Sequence, residues 1–397
     1  MMISERTESL GTESAFDVLA EVNRLRSQGR KIISFCIGQP DFDTPRNIKD
    51  AGIKAINDGK CGYTDSAGVY EVRESVARHL VKTRNIDAKP EHIVIANGVK
   101  PFIAYAILST TDYGRGHEVI YPNPGFPTYE LQALASGAVP VPLPLIERKK
   151  FSFDIEELKS RISEKTRLLI LNSPHNPTGG ILGQEDLEQV AQLAKKHDFW
   201  VFSDEIYSRL DYDGEFKSVA SLPGMYERTI VCDGVSKSHA MTGWRMGYAA
   251  NPRLAPKLER WVMHFESCAN HISQYALKEA LDGPQKSVQD MTQSFRERRV
   301  LIVNLLNDID GVTCLMPGGA FYVFPNVTKV LDRLKLPNAD ALRKLLLANG
   351  VAVLADTSFG AKDPNEKNHY IRMSYATSKE QIIEGVSKME EVMENAR

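Results

Sequence analysis

Cysteine is scarce in this chain. Its 397 residues include five, Cys36, Cys61, Cys232, Cys268 and Cys314, and no two form a CxxC pair. That scatter offers neither a disulfide framework nor a zinc site, and no metal is expected; reduced thiols in a cytoplasmic protein are. Long apolar runs are also missing. None approaches the roughly 18 residues of a membrane span. The stretch MMISERTESLGTESAF is polar and lacks the apolar core of a secretory signal. Nor is there an excess of positive charge: the formal net charge is −2. Nucleic acid and anionic membranes are therefore not expected partners. No GxGxxG follows an early strand, so a nucleotide-binding dehydrogenase finds no support. Low-complexity segments and internal repeats are absent as well.

What remains is an ordinary globular balance, 42 % apolar and 25 % charged. The length exceeds one simple core, so two domains are expected. Strand-like runs alternate with helix-like ones through the middle. HIVIA (from His92) precedes KPFIAYAILST; HEVIY (from His117) precedes PTYELQALASG; RLLILN (from Arg167) precedes QEDLEQVAQLAKKHD; FWVFS (from Phe199) and RTIVC (from Arg228) follow. Such alternation predicts an α/β fold, a mostly parallel sheet covered on both faces. The last hundred or so residues differ. A charged helical stretch, QSFRERRVLIVNLLND, leads to LMPGGAFYVFPN, then helix, strand (GVAVLA) and helix. This predicts a large domain over 45–285 and a smaller α+β domain made of 1–44 and 286–397.

Ligands of open α/β sheets bind beyond the carboxyl ends of the strands. Here those ends are loaded: NGVK (Asn97 to Lys100), PNPGFP with Phe126, SPHNPTGG with Asn176, DEIYSRL with Asp204 and Tyr207, and DGVSKSHAMTGWRMGY with Lys237 and Arg245. Each alone has an ordinary reading. An NG after a strand is a turn, a phenylalanine is core, an aspartate is a helix N-cap, a lysine is solvated. Jointly they suit one ligand: a phosphate, a flat aromatic ring, a ring nitrogen that seeks a carboxylate, a phenolic oxygen and an aldehyde that seeks an amine. Pyridoxal 5′-phosphate (PLP) has all five.

On the motifs NPTGG, SDEIY and SKSHAMTGWRMGY, in that order and spacing, the chain resembles the class I/II aminotransferases of PLP fold type I. The bacterial aspartate aminotransferase branch is most similar. The resemblance runs from IGQPDFDTP to YIRMSYATS. It implies a seven-stranded, mostly parallel sheet in the large domain, PLP as cofactor, and a homodimer. It implies that Lys237 forms the Schiff base, that Arg245 binds the phosphate, and that Asp204 pairs with the ring nitrogen. Tyr207 and Asn176 would meet the phenolic oxygen, and Phe126 would stack on the ring. Gly98, Val99 and Lys100 would open the helix facing the phosphate. Tyr63 would reach the neighbouring subunit's cofactor. Arg372 and the backbone at Gly38 would hold the substrate α-carboxylate. Lys100 matches a lysine that faces the distal carboxylate of dicarboxylic substrates, though it also has a reading as part of the phosphate-side helix start.

Several positions depart from the family pattern. Asp65 and Ser66 stand where prolines are usual. Gly234 replaces a hydroxyl residue that would meet the phosphate, leaving Ser236 as a substitute. Pro101 and Phe102 replace a Gln and a small or aliphatic residue. Gly11 and Thr12 stand where prephenate-using relatives carry a basic residue, which argues against that substrate. The expected reaction is transfer of the amino group of aspartate or glutamate to a 2-oxo acid. Aromatic or alanine transamination, or another PLP reaction such as a β-lyase, stays open. A non-catalytic regulator with this fold is a remote alternative. His175, His264, His271 and Tyr322 are read as structural or uncommitted.

Overall fold

The computed structural model describes residues 3–8, 10–11, 14–214, 216–361 and 366–395. Thr12 lies outside the described residues. Among the described residues thirteen strands run in chain order: β1 (Ile33–Ser34), β2 (Ile93–Ala96), β3 (Glu118–Asn123), β4 (Val139–Ile146), β5 (Ser152–Phe153), β6 (Thr166–Asn172), β7 (Trp200–Asp204), β8 (Thr229–Gly234), β9 (Gly247–Ala250), β10 (Tyr322–Val323), β11 (Val351–Ala352), β12 (Leu354–Ala355) and β13 (Ile371–Ser374). The large sheet has the order β2-β9-β8-β7-β6-β3-β4-β5. The run β8-β7-β6-β3-β4 is parallel, and β9 lies antiparallel to both its neighbours. The expected seven strands are present, and the two-residue β5 adds an antiparallel edge to β4.

The central strands are buried almost throughout. Helices cover both faces, so these strands read as continuous apolar runs rather than alternating ones. β4 is a strand that periodicity does not reveal. Its sequence, VPVPLPLI, puts prolines at alternate positions. N–H groups alternate sides along a strand, so the intervening residues remain free to donate to β3. The motif WRMGY also conceals a strand, since β9 begins at Gly247.

In the C-terminal part, β10, β13 and β12 form a small antiparallel sheet. GVAVLA is two strands, not one: β11 pairs in parallel with β1, and β12 pairs with β13. Val353 marks the switch of partner. Ile33 and Phe35 share a core with Phe295, Phe321, Val351 and Met373. The long helix Lys286–Asp308 packs against the helix Lys379–Asn395. No helix among the described residues is long and apolar enough to cross a membrane.

Candidate active site

A cavity of about 590 Å³ opens at the ends of the parallel strands, and Tyr322, Leu354 and Arg372 close it from the small-sheet side. Two glycines shape one end. Gly98, at φ +104°, lies where a Cβ would come within 2.3 Å of Arg245 Nη2. Only glycine lets the turn after β2 approach that guanidinium. Gly234 ends β8, and a Cβ there would sit 2.8 Å from the Met246 carbonyl oxygen. The hydroxyl residue usual in the family therefore has no room in this backbone. Arg245, itself left-handed at φ 54°, donates to the carbonyls of Thr242 (3.0 Å) and Asn97 (3.4 Å) and is otherwise exposed. Val99, Lys100 and Ser236 line the cavity beside it.

The deep end is buried. Asp204, the last residue of β7, accepts from the Tyr129 hydroxyl (2.7 Å) and from the Ile206 N–H (3.3 Å). Burial pushes its carboxyl up to about 6, with these two donors and Lys237 pulling the other way. Tyr207 shares a hydrogen bond with Tyr322, hydroxyl to hydroxyl, at 2.8 Å, and burial raises its phenol well above the ordinary range. Half-buried Lys237 points its ammonium group at the Gly38 carbonyl oxygen, 2.6 Å away. Phe126 forms one wall and meets the Tyr129 ring edge to face at 5.7 Å. The Lys100 Nζ lies 5.3 Å from the centre of the Phe126 ring.

Arg372, on β13, is buried against this end. Its Nη1 donates to Asn176 Oδ1 at 2.9 Å, and its Nη2 donates to the Cys36 carbonyl. The guanidinium also faces the rings of Tyr322 (4.5 Å) and Phe359 (4.8 Å). Its Nε has no hydrogen-bond partner among the described residues. Such a buried, unused donor is a place for an incoming acceptor. Asn176 is held by its own N–H, which donates to Asn172 Oδ1.

The fold thus brings Gly38, Val99, Lys100, Phe126, Asn176, Asp204, Tyr207, Ser236, Lys237, Arg245 and Arg372 to one cavity, with Gly98 packed behind Arg245. Tyr63 is not among them. It is 88 % exposed and does not line the cavity of its own chain. Nearby, His271 Nδ1 meets the Gly62 carbonyl at 3.0 Å. His175 is buried on Thr178 and pushed down to about 3 by desolvation, which matches an uncommitted histidine.

Sequence reasoning missed two aromatic residues. Tyr129 carries the proton donor to Asp204; its signal is the spacing of three from Phe126 at a helix start. Tyr322, read as structural, belongs to the cavity wall through its bond to Tyr207 and its stacking under Arg372.

Comparison with known proteins agrees with this geometry. The family model for aminotransferase class I and II matches residues 30–389. An aspartate aminotransferase of Geobacillus stearothermophilus is 35 % identical over 398 residues, 99 % of each chain. An aromatic-amino-acid aminotransferase of Thermococcus litoralis is 36 % identical over 92 % of each chain. Among solved structures, the aspartate aminotransferase of Thermus thermophilus with maleate superposes with a TM-score of 0.92 at 31 % identity, covering 99 % of this chain and all of that one. The match spans the cavity and all the sheets described above, so this chain belongs to the class I and II aminotransferases.

Proposed function

We propose that the protein is a PLP-dependent aminotransferase that uses this cavity. One observation carries the reading: a lysine amine, a buried carboxyl held by a phenol and a peptide N–H, and a buried arginine with a spare donor converge on a single cavity. The residues fit the cofactor. Asp204 is held by a phenol and a peptide N–H, which suits it to a protonated ring nitrogen. Gly98 and Arg245 form a cradle in which a Cβ would collide, which suits it to a phosphate. Tyr207 and Asn176 present a hydroxyl and an amide to the phenolic oxygen, and Phe126 offers a ring face. When bound, PLP supplies an aldehyde that condenses with amines and a ring that withdraws electrons from the substrate Cα.

The protein's own groups do the rest. Arg372 grips the substrate α-carboxylate, exchanging its bond to Asn176 for a two-point contact. That grip fixes which bond at Cα faces the ring. The Lys237 amine takes the Cα proton as general base. Asp204 stays ionised opposite the ring nitrogen and keeps it protonated. Closure by Tyr322 and Phe359 excludes water from the reacting atoms.

For the substrate, Lys100 places a cation on the cavity wall, with its Nζ 5.3 Å from the centre of the Phe126 ring. It supports aspartate or glutamate as donor, with 2-oxoglutarate as a fitting acceptor. The maleate in the Thermus thermophilus structure is likewise a dicarboxylate. A second reading rests on the apolar wall of Phe16, Ile37, Leu354 and Phe359, which suits a bulky apolar donor. The exposed Tyr63 supports a homodimer in which it completes the partner's phosphate end. Pairing of β1 with β11 supports a small domain built from 1–44 and 286–397, with 45–285 as the large one. The free thiols fit a cytoplasmic protein. The test is direct. Purified protein with PLP should show imine absorbance that borohydride locks onto Lys237, and a donor screen with 2-oxoglutarate should favour aspartate or glutamate. Protein that binds no PLP would sink the proposal; turnover of phenylalanine without aspartate would move the substrate to the second reading.

A further inference from the structure

Behind the cavity lies a group of charges that the reaction does not touch. Arg84 ends the helix Tyr70–Arg84 and is buried. Its Nε donates to Glu205 Oε2 at 2.5 Å, and its Nη2 donates to Asp233 Oδ2 at 2.7 Å and to Ser208 Oγ at 2.6 Å. Glu205 is 1 % exposed and Asp233 2 %. The remaining oxygens are also occupied. Glu205 Oε1 accepts from Ser203 and Ser218, and Asp233 Oδ1 accepts from the Gly234 N–H. Arg209, Tyr248 and His79 face the group from the neighbouring segments.

The partners sit beside site residues in sequence. Glu205 follows Asp204, Ser208 follows Tyr207, and Asp233 stands four before Lys237. Successive side chains at a strand end point to opposite sides. One guanidinium thus holds, from behind, the two strand ends whose front faces carry Asp204, Tyr207 and Lys237. Three buried charges are a poor device for stability alone, because desolvation offsets their attraction and an apolar cluster of equal volume serves as well or better. A rigid fork fixes two carboxylates at a set separation, which apolar packing does not.

We propose that Arg84 is a positioning residue for the reaction: it sets the relative placement of the Asp204–Tyr207 turn and the Gly234–Lys237 turn. This inference rests on the PLP reading above. It assigns to the back face of the sheet control over where the lysine amine stands relative to the carboxyl. Burial pushes the Asp233 carboxyl up to about 7, and among the groups that pull it back down Arg84 acts most strongly.

The experiment uses full-length holoenzyme carrying Arg84→Lys, which keeps the charge and gives up the fork, or Ser208→Ala, which removes a single hydroxyl and spares the ion pairs. The readouts are the pH midpoint of the bound cofactor's visible absorbance change, kcat and KM separately, and Tm. We expect the midpoint to move by roughly half a pH unit or more in Arg84→Lys, and in the same direction but less in Ser208→Ala. We expect kcat to fall by about tenfold with KM little changed, since the substrate grip of Arg372 is untouched. An unmoved midpoint and kcat in both variants, whatever happens to Tm, would reduce the group to scaffold and overturn the inference. Wild-type protein without cofactor absorbance would instead sink the PLP reading itself.

Discussion

The two ends of the cavity are built to different standards. The deep end is closed by one chain: Asp204, Tyr207, Asn176 and Arg372 are buried, and each has a named partner. The Arg245 end, the one proposed for the phosphate, is open. Arg245 is exposed, Gly234 brings no hydroxyl, and Tyr63 is exposed to solvent. The difference teaches that electronic control and anchoring are separate tasks. A carboxyl must be dehydrated to hold a proton on a ring nitrogen, so its environment has to be completed within the chain. A phosphate tolerates water and can be finished by a residue from a second subunit.

Changes at the deep end should therefore cost far more than changes at the open end. Lys237→Ala is expected to be the most damaging, lowering kcat by about 10⁴-fold or more, because attachment and the general base are lost together. A single-turnover assay with aspartate checks this. Asp204→Asn should lower kcat by about 10²–10³-fold with PLP still bound.

The same substitution has a pH signature in the cofactor-free protein. The Asp204 carboxyl is raised from 3.8 to about 6 in the folded chain. The stability this group contributes is complete below about pH 4, where it is protonated in both states. It is lost as pH rises through about 6, when the folded chain must ionise a buried group. The loss amounts to roughly 3 kcal/mol relative to Asp204→Asn. Urea unfolding of both proteins between pH 4 and 7 measures it, and bound PLP should flatten the difference by pairing the charge.

Arg372→Lys should raise KM for the amino donor by about 10–100-fold, since a point charge cannot make the two-point contact. Steady-state kinetics with donor varied will tell, and a fall in kcat alone would count against the carboxylate grip.

At the open end, Gly234→Ser restores the relatives' hydroxyl but forces a Cβ against the Met246 carbonyl. We expect a loss of about 1–3 kcal/mol in unfolding and no gain in PLP affinity. Tyr63→Phe should be the mildest, weakening PLP binding by about 3–10-fold through one lost hydrogen bond. If Tyr63→Phe proved as damaging as Asp204→Asn, the contrast between the two ends would collapse.

Much of this was legible before any coordinates. The helix Lys100–Thr110 falls on KPFIAYAILST, and five strands fall on their apolar runs. Buried parallel strands write themselves as unbroken Val/Ile/Leu segments. β4 was hidden because proline suppresses the strand signal while still permitting a ladder on one side. The split of GVAVLA was hidden because a change of sheet partner leaves no mark on hydrophobic pattern. Among site residues, Lys237, Asp204 and Arg245 stood out as charges beside strand ends. Tyr129 and Tyr322 did not, since an aromatic side chain reads as core until its hydroxyl is seen to have a polar partner.

The sequence by itself determined the order of the strands' chemistry and the set of groups available to a PLP-like ligand. Strand ends in an open sheet gather on one side, so residues at those ends must converge. Tertiary structure alone decided which groups are dry and which are wet. Burial is a property of neighbours distant in the chain. Only folding places Tyr129 on Asp204, Tyr322 on Tyr207, Asn176 on Arg372, and Arg84 behind them all, and leaves Tyr63 in the open.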